Sequence, residues 1–263
     1  IQKTFTSTYA ELYAAVAFKP GGALSGLPCV VTFTSGGSQL LSIRANADGS
    51  ISAFRGGPFG TLLGTSAPAV VVGGVYTHYQ VRVVFSATVG VVEVRLNGST
   101  TAALSLTGQN TGGASANGVL LTQANANSLF DDFVINDTAG SIANGWPGDV
   151  RVDTYLPNAD GDLSEMTGSD GNSTSNYALV NAAAPAAASY TESATVGHED
   201  LYHFTDVVHT PTAILGVVVT AAALKDDAGT RAIRLHAKSG ATDAASAADI
   251  NLGTSRTRVA TVF

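Results

Sequence analysis

The stretch Asn158-Ala159-Asp160-Gly161-Asp162-Leu163-Ser164-Glu165 comes nearest to a set of residues with chemistry to do. Asn158, Asp160 and Asp162 place oxygen ligands at alternate positions around a glycine, as a Ca²⁺ loop does. The spacing departs from the EF-hand, because the glycine falls too early and Glu165 too soon. No helices are predicted on either side. Asp, Asn and Gly are equally the residues of a solvated turn. Ca²⁺ held by Asn158, Asp160 and Asp162 therefore stands beside a plain turn, and no other cofactor is expected.

His198, Glu199, Asp200 and His203 form a second group, with Asp206 and His209 following. H-E-D-x-x-H is not H-E-x-x-H, so the two imidazoles do not share a helix face as a zinc site of that kind requires. Polar residues leading into a strand over Leu201-Tyr202-His203-Phe204 is the plainer reading. Asp131 and Asp132 are adjacent on a predicted strand and so point to opposite faces. Such a pair cannot flank a glycosidic bond, which needs converging carboxylates roughly 5–9.5 Å apart. His78 and His236 read as surface residues of strands. No G-x-S-x-G occurs, and T-S-G-G-S and G-T-S-A-P lack the strand–turn–helix context of a nucleophile. A phosphate loop and a credible dinucleotide fingerprint are also missing. No catalytic residues are predicted, and the chain is expected not to be an enzyme.

These residues sit in a chain of 263 amino acids, enough for two domains. Charged residues are 13% against 45% hydrophobic, with five Glu and four Lys. Long helices normally carry many Glu, Lys and Arg, so this composition favours strands and tight turns. The net charge of −7 and the lack of a basic run argue against nucleic acid as a partner. The single cysteine, Cys29, reads as a buried strand residue and allows no intrachain disulfide. No apolar run approaches the ~20 residues of a membrane span, so membrane insertion is not expected. The chain opens on Ile1 without an initiator methionine and ends on what reads as a strand, so more chain is expected beyond both ends.

The elements are organised around Gly74–Gly98, a long β-hairpin with arms over Val75–Ser86 and Val91–Leu96. Thr77, Tyr79, Val81, Val83 and Phe85 share one parity with Val75 and predict the core face, while His78, Gln80 and Arg82 predict a polar one. A one-residue slip would bury His78, Arg82 and Glu93 together, so the register is well specified. Thr4–Lys19, Pro28–Thr34, Gln39–Ala45, Ser50–Arg55, Leu104–Leu106, Val119–Gln123 and Leu129–Asn136 read as further strands. Asp48-Gly49 marks a second hairpin. Ile51 and Phe54 differ in parity, which predicts a bulge or twist there. Gly56–Pro68 and Thr107–Asn117 read as loops, and about nine strands in all predict a sandwich.

After a linker over Asp137–Pro147, strands are predicted at Gly148–Pro157 and Asn176–Asn181, with a polar loop between them. The proline at 185 argues against a helix across Ala182–Ala188. A hairpin is predicted between Ala213–Leu224 and Thr230–Lys238, then a last strand over Gly253–Phe263. Residues 1–140 are thus read as a jelly-roll domain and 148–263 as a second β-rich module, also a sandwich.

Asp48-Gly49, Tyr76–Phe85, Gly90–Gly98 and Phe130–Ile135 together resemble laminin-G-like, or concanavalin-like, jelly-roll domains. In that fold Asp131 or Asp132 has a place in a lectin-type Ca²⁺ site, beside the plainer reading of a surface carboxylate. The glucanases of the fold carry E-x-D-x-x-E on one strand, and this chain has no such segment. The second half, with G-D-V-R-V-D-T-Y-L-P-N-A-D-G-D, N-Y-A-L-V-N and A-A-A-L-K-D-D-A-G-T-R-A-I-R-L, resembles a module of tailed-bacteriophage structural proteins that follows a laminin-G-like domain. The resemblance implies a non-enzymatic virion surface protein of tail-fibre, baseplate or head-decoration type. It implies other virion proteins and further copies of the chain as partners, and attachment to host-surface polysaccharide through loops such as Gly56–Pro68 or Thr107–Asn117. The alternatives are a carbohydrate-binding module of a secreted bacterial protein and a polysaccharide depolymerase.

Overall fold

The computed structural model describes all residues except 27, 123–126, 142, 185 and 209. The end of the predicted strand at Gln123, the helix-breaking role of Pro185, and His209 lie outside the described residues. The chain divides into a first unit, Ile1–Val152, and a second, Asp153–Phe263.

The first unit is an all-β jelly roll of two antiparallel sheets. Its strands are β1 Gln2–Tyr9, β2 Glu11–Lys19, β3 Cys29–Ser35, β4 Ser38–Ala45, β5 Ile51–Arg55, β6 Thr61–Thr65, β7 Thr77–Val84, β8 Gly90–Leu96, β9 Leu104–Gln109, β10 Ala116–Leu120 and β11 Leu129–Asn136. One sheet runs β1-β10-β3-β4-β5-β6 and the other β11-β2-β7-β8-β9. Inward-pointing Val31, Phe33, Leu41, Ile43 and Ile51 meet Leu12, Phe18, Tyr79, Val81, Val83, Val92 and Val94 in one buried cluster. The β7–β8 pairing sets Val81 against Val94 and Arg82 against Glu93, so the central hairpin has the register that its alternation predicts. Val75 is exposed and lies before the strand.

Several boundaries differ from the sequence reading. Thr4–Lys19 is two strands in different sheets, broken at Ala10. The predicted loop Gly56–Pro68 contains β6, which pairs with β5. The parity break at Phe54 leaves the β4–β5 register unbroken, and the shift falls between Ala53 and Phe54 against β6. Strand β9 runs on into the predicted loop Thr107–Asn117, because polar strands lack the apolar alternation that marks an element.

The polar face of the central sheet is covered by the chain itself. The segment after β11 returns across it as a strap. Asn136 Nδ2 donates to Gly145 O (3.0 Å), Gly148 N to Gln80 Oε1 (2.9 Å) and Val152 N to Asp132 Oδ1 (2.8 Å). Trp146 packs edge-on against Tyr13 at 5.4 Å between ring centroids. This cover explains why β2 is buried on both faces from Leu12 to Val16. Beneath it Arg82 bridges Glu11 and Glu93, both at 2.7 Å.

The second unit is also β-rich and pairs its strands in two-stranded ladders. Its elements are β12 Pro157–Ser164, β13 Thr167–Gly168, α1 Tyr177–Val180, β14 Thr191–Glu192, β15 Asp200–Phe204, β16 Val218–Ala223, β17 Ala232–Ile233, β18 His236–Ser239, β19 Thr242–Ala245, β20 Ile250–Asn251 and β21 Thr257–Val262. β16 pairs with β21, β17 with β20 and β18 with β19, so residues 218–262 form one long interrupted hairpin with its tip at Gly240. The predicted hairpin between Ala213–Leu224 and Thr230–Lys238 does not form, since β16 finds its partner beyond residue 256.

Strand and loop are also exchanged near Asn158. Residues 148–156 carry no strand, while the polar run 157–164 pairs with β15. Asn176–Asn181 is a helical turn rather than a strand, because the Asp160 carboxylate accepts from Ser175 N and from Tyr177 N (3.0 Å) and holds the backbone in that turn. Among the described residues of this unit Leu235 is the one buried hydrophobic side chain. Val218 and Val262 face each other across β16–β21 with 58% and 73% of their surface exposed.

Candidate functional site

The outer side of the β4–β5 hairpin carries a polar and aromatic platform built on Arg44. Asp48 and Gly49 make the turn, with Asp48 Oδ1 accepting from Ser50 N at 2.9 Å. Arg44 therefore projects from β4 beside Ser52 of β5, away from the core. A guanidinium has five N–H donors. Nε and Nη2 donate to Asn46 Oδ1 at 3.3 and 3.0 Å, and Nη1 donates to Pro58 O at 2.8 Å. Asn46 is itself fixed, its Nδ2 donating to Ser50 Oγ (2.9 Å) and Ser52 Oγ (2.7 Å). One N–H on each terminal nitrogen of Arg44 is left for another acceptor.

Two phenyl rings flank this cation. The guanidinium carbon lies 4.3 Å from the centre of Phe54 and 5.3 Å from that of Phe59. Phe54 is buried beneath it, whereas Phe59 has 73% of its surface exposed. Phe54 breaks the inward alternation of β5 because this outward position is covered by Arg44. Partial burial lowers the Arg44 pKa, and the group stays cationic at any ordinary pH. Among the described residues no carboxylate pairs with it.

The loop that presents Phe59 is clamped to the sheet. Gly56 N donates to Leu40 O (2.7 Å), Ser42 Oγ donates to Gly56 O (2.8 Å), and Gly60 N closes a turn onto Gly57 O (2.8 Å). A Cβ on Gly60 would stand 2.1 Å from Arg55 O, so only glycine lets the loop fold this tightly. The arrangement offers an exposed ring on a clamped loop, beside a guanidinium with two N–H donors left over. It suits a ligand with an apolar face and oxygen acceptors at its edge.

The residues singled out by the sequence do not gather into such a site. Asn158, Asp160 and Asp162 lie along β12. Asn158 Nδ2 donates to Thr205 Oγ1 (3.3 Å), Asp160 holds the backbone of 175–177, and Asp162 pairs with Lys238 at 2.5 Å. The Lys238 ammonium keeps the Asp162 pKa below its ordinary value. In the second group His198 Nδ1 lies 3.0 Å from Ser193 Oγ, and Glu199 N donates to Glu165 Oε2 at 2.9 Å. Asp200 accepts from Glu165 N, Met166 N and Tyr202 OH at 2.8, 2.8 and 2.9 Å, and from Asn176 Nδ2 at 2.7 Å. It is a structural hub. Among the described residues no three His, Cys, Asp or Glu side chains converge as metal ligands do.

Asp131 and Asp132 depart from strand alternation. A register shift falls between Asp131 and Val134, and Asp132 adopts φ = 51°. Both therefore line one cavity of about 340 Å³ with Tyr76, His78, Asn97, Asp149 and Arg151. Neither ring nitrogen of His78 has a hydrogen-bond partner there. Burial lowers its pKa, against the opposing pull of Asp149 and Asp132. Cys29 is buried, as its sequence context predicts, and burial raises its thiol pKa.

The sequence reading named the loop Gly56–Pro68 but missed Arg44 and Phe59. The available signal was G-G-P-F-G, in which a large aromatic residue sits among glycines and has no core position to fill.

No protein-family model matches this chain, and no curated protein matches it significantly. Solved structures do. An ancestral congerin matches with 11% identity and a TM-score of 0.35, covering 52% of this chain and 99% of that one. CG-16, a homodimeric agglutinin from chicken liver, matches with 12% identity and a TM-score of 0.32, covering 52% of this chain and 96% of that one. A toad ovary galectin in complex with thio-digalactose matches with 11% identity and a TM-score of 0.35, covering 52% of this chain and 97% of that one. Likeness at this level carries no argument about the site.

Proposed function

We propose that this chain is a non-enzymatic attachment protein on the surface of a tailed-phage virion, and that it holds host-surface polysaccharide on the Arg44–Phe59 platform of its first unit. The observation that carries the binding role is the exposed Phe59 ring fixed over a partly satisfied guanidinium. A sugar ring stacks its C–H face on such a ring, and its hydroxyls accept from the free N–H groups. The virion placement is supported by the resemblance of the second half to phage structural modules. Further copies and other virion proteins are its partners in this reading. Exposed apolar residues such as Val218 and Val262, which face each other across β16–β21, support that as surface open to a further copy.

The same platform supports a second reading, the carbohydrate-binding module of a secreted bacterial protein. Two measurements separate them. On a glycan array the full chain is expected to bind, and Phe59→Ala to lose roughly tenfold in affinity, the scale of one stacked aromatic contact. An antibody to the chain is expected to label purified phage particles. Glycan binding without labelled particles selects the secreted module. An array on which no glycan binds overturns the attachment role in both.

A further inference from the structure

We infer that the ligand of the Arg44–Phe59 platform is an acidic polysaccharide whose sugar carboxylate pairs with the free edge of Arg44; this rests on the attachment role proposed above.

The charge of Arg44 is the reason. Arg82, also under cover in the first unit, has Glu11 and Glu93 beside it. Arg44 is half-buried between two phenyl rings and its three hydrogen bonds go to neutral oxygens, Asn46 Oδ1 and Pro58 O. The only charged side chain in the adjoining turn, Asp48, is taken up by Ser50, whose N and Oγ donate to it at 2.9 and 2.6 Å. A partly desolvated cation with no counter-charge gains from a ligand that supplies one. One N–H on Nη1 and one on Nη2 remain for a carboxylate, whose two oxygens a guanidinium can take together. The Phe59 ring centre lies 5.3 Å from the guanidinium carbon and Leu62 is exposed on the neighbouring strand β6, so a pyranose ring carrying the carboxylate has apolar surface to lie on.

The platform fixes the donors before the ligand arrives. Asn46, Ser52 and Pro58 hold the guanidinium plane, and the Gly56–Gly60 turn holds Phe59. Lysine at 44 would keep the charge and lose the fork.

The test compares acidic polysaccharides with their own methyl esters, which keep the sugar and remove the charge. The full chain is titrated by calorimetry with polygalacturonate, alginate and polysialic acid, and with each esterified form. At least one acid form is expected to bind, with a loss of roughly tenfold or more on esterification. Arg44→Gln is expected to lose the same factor and to bind acid and ester alike, and Arg44→Lys to recover part of the difference. Melting curves of both variants identify any loss that is only unfolding, and the acid–ester comparison on the unaltered chain needs no variant. Equal binding of acid and ester, or binding of neutral glycans alone, overturns the acidic ligand and leaves the attachment role standing. If no glycan of either kind binds, both fall. Binding to a sulfated glycan such as dextran sulfate without binding to any carboxylated one also overturns the inference, since it assigns the edge to a different anion.

Discussion

The Arg95 guanidinium lies 3.8 Å over the ring centre of Trp146. One residue belongs to β8 and the other to the strap that follows the last strand of the jelly roll. Their contact, with the edge-on packing of Trp146 on Tyr13, fastens the strap to a face that would otherwise be open to solvent. The strap is thereby part of the first unit's structure.

Trp146→Ala is expected to destabilise the first unit by about 2 kcal/mol, between a surface change and a fully buried large-to-small one. Arg95→Ala should cost less, and a double-mutant cycle should give a coupling of about 1 kcal/mol for the cation–π pair. Urea melts measure the energies. Hydrogen exchange should show residues 144–152 opening first in Trp146→Ala, with β7 still protected.

The His78 imidazole gives the first unit a pH dependence. Burial depresses its folded-state pKa below the ordinary 6.5, so the unfolded chain binds the proton more tightly. Stability is at its full value above the unfolded pKa and falls as the pH drops from 6.5 towards the folded value. The urea midpoint should therefore decrease between pH 7.5 and 5.5. His78→Gln should flatten that decrease, and an unchanged slope would show that the titration lies elsewhere.

Asp200 should matter more to the second unit than any other acid in it. Two backbone N–H groups, the Asn176 amide and the Tyr202 hydroxyl all donate to it. Asp200→Asn keeps the size and removes one acceptor oxygen and the charge. A loss of about 2–3 kcal/mol is expected, as for a charge-assisted network left with unmatched donors. Faster hydrogen exchange over residues 157–180, with the first unit unchanged, would check it.

The central hairpin was legible in the sequence because Tyr79, Val81 and Val83 alternate strictly with polar residues, and a strand with one buried face has one register. Asp48-Gly49 declared its turn for a local reason too, since the pair sets its own backbone angles. These two features determine the jelly roll's centre without reference to distant residues. Sequence could not decide what covers the polar face of that hairpin. Trp146 lies far along the chain from Arg95, and nothing local to either residue announces the contact. The same holds for β12, whose partner β15 gives strand form to a run that by composition is turn. It holds for β16 as well, whose mate β21 lies beyond a nearer and equally apolar candidate. At the platform, Arg44 looks unremarkable in sequence, and G-G-P-F-G marks Phe59 without naming its partner. They meet because Gly56 and Gly60 fold the loop back onto β4, a long-range packing that alternation and propensity do not encode.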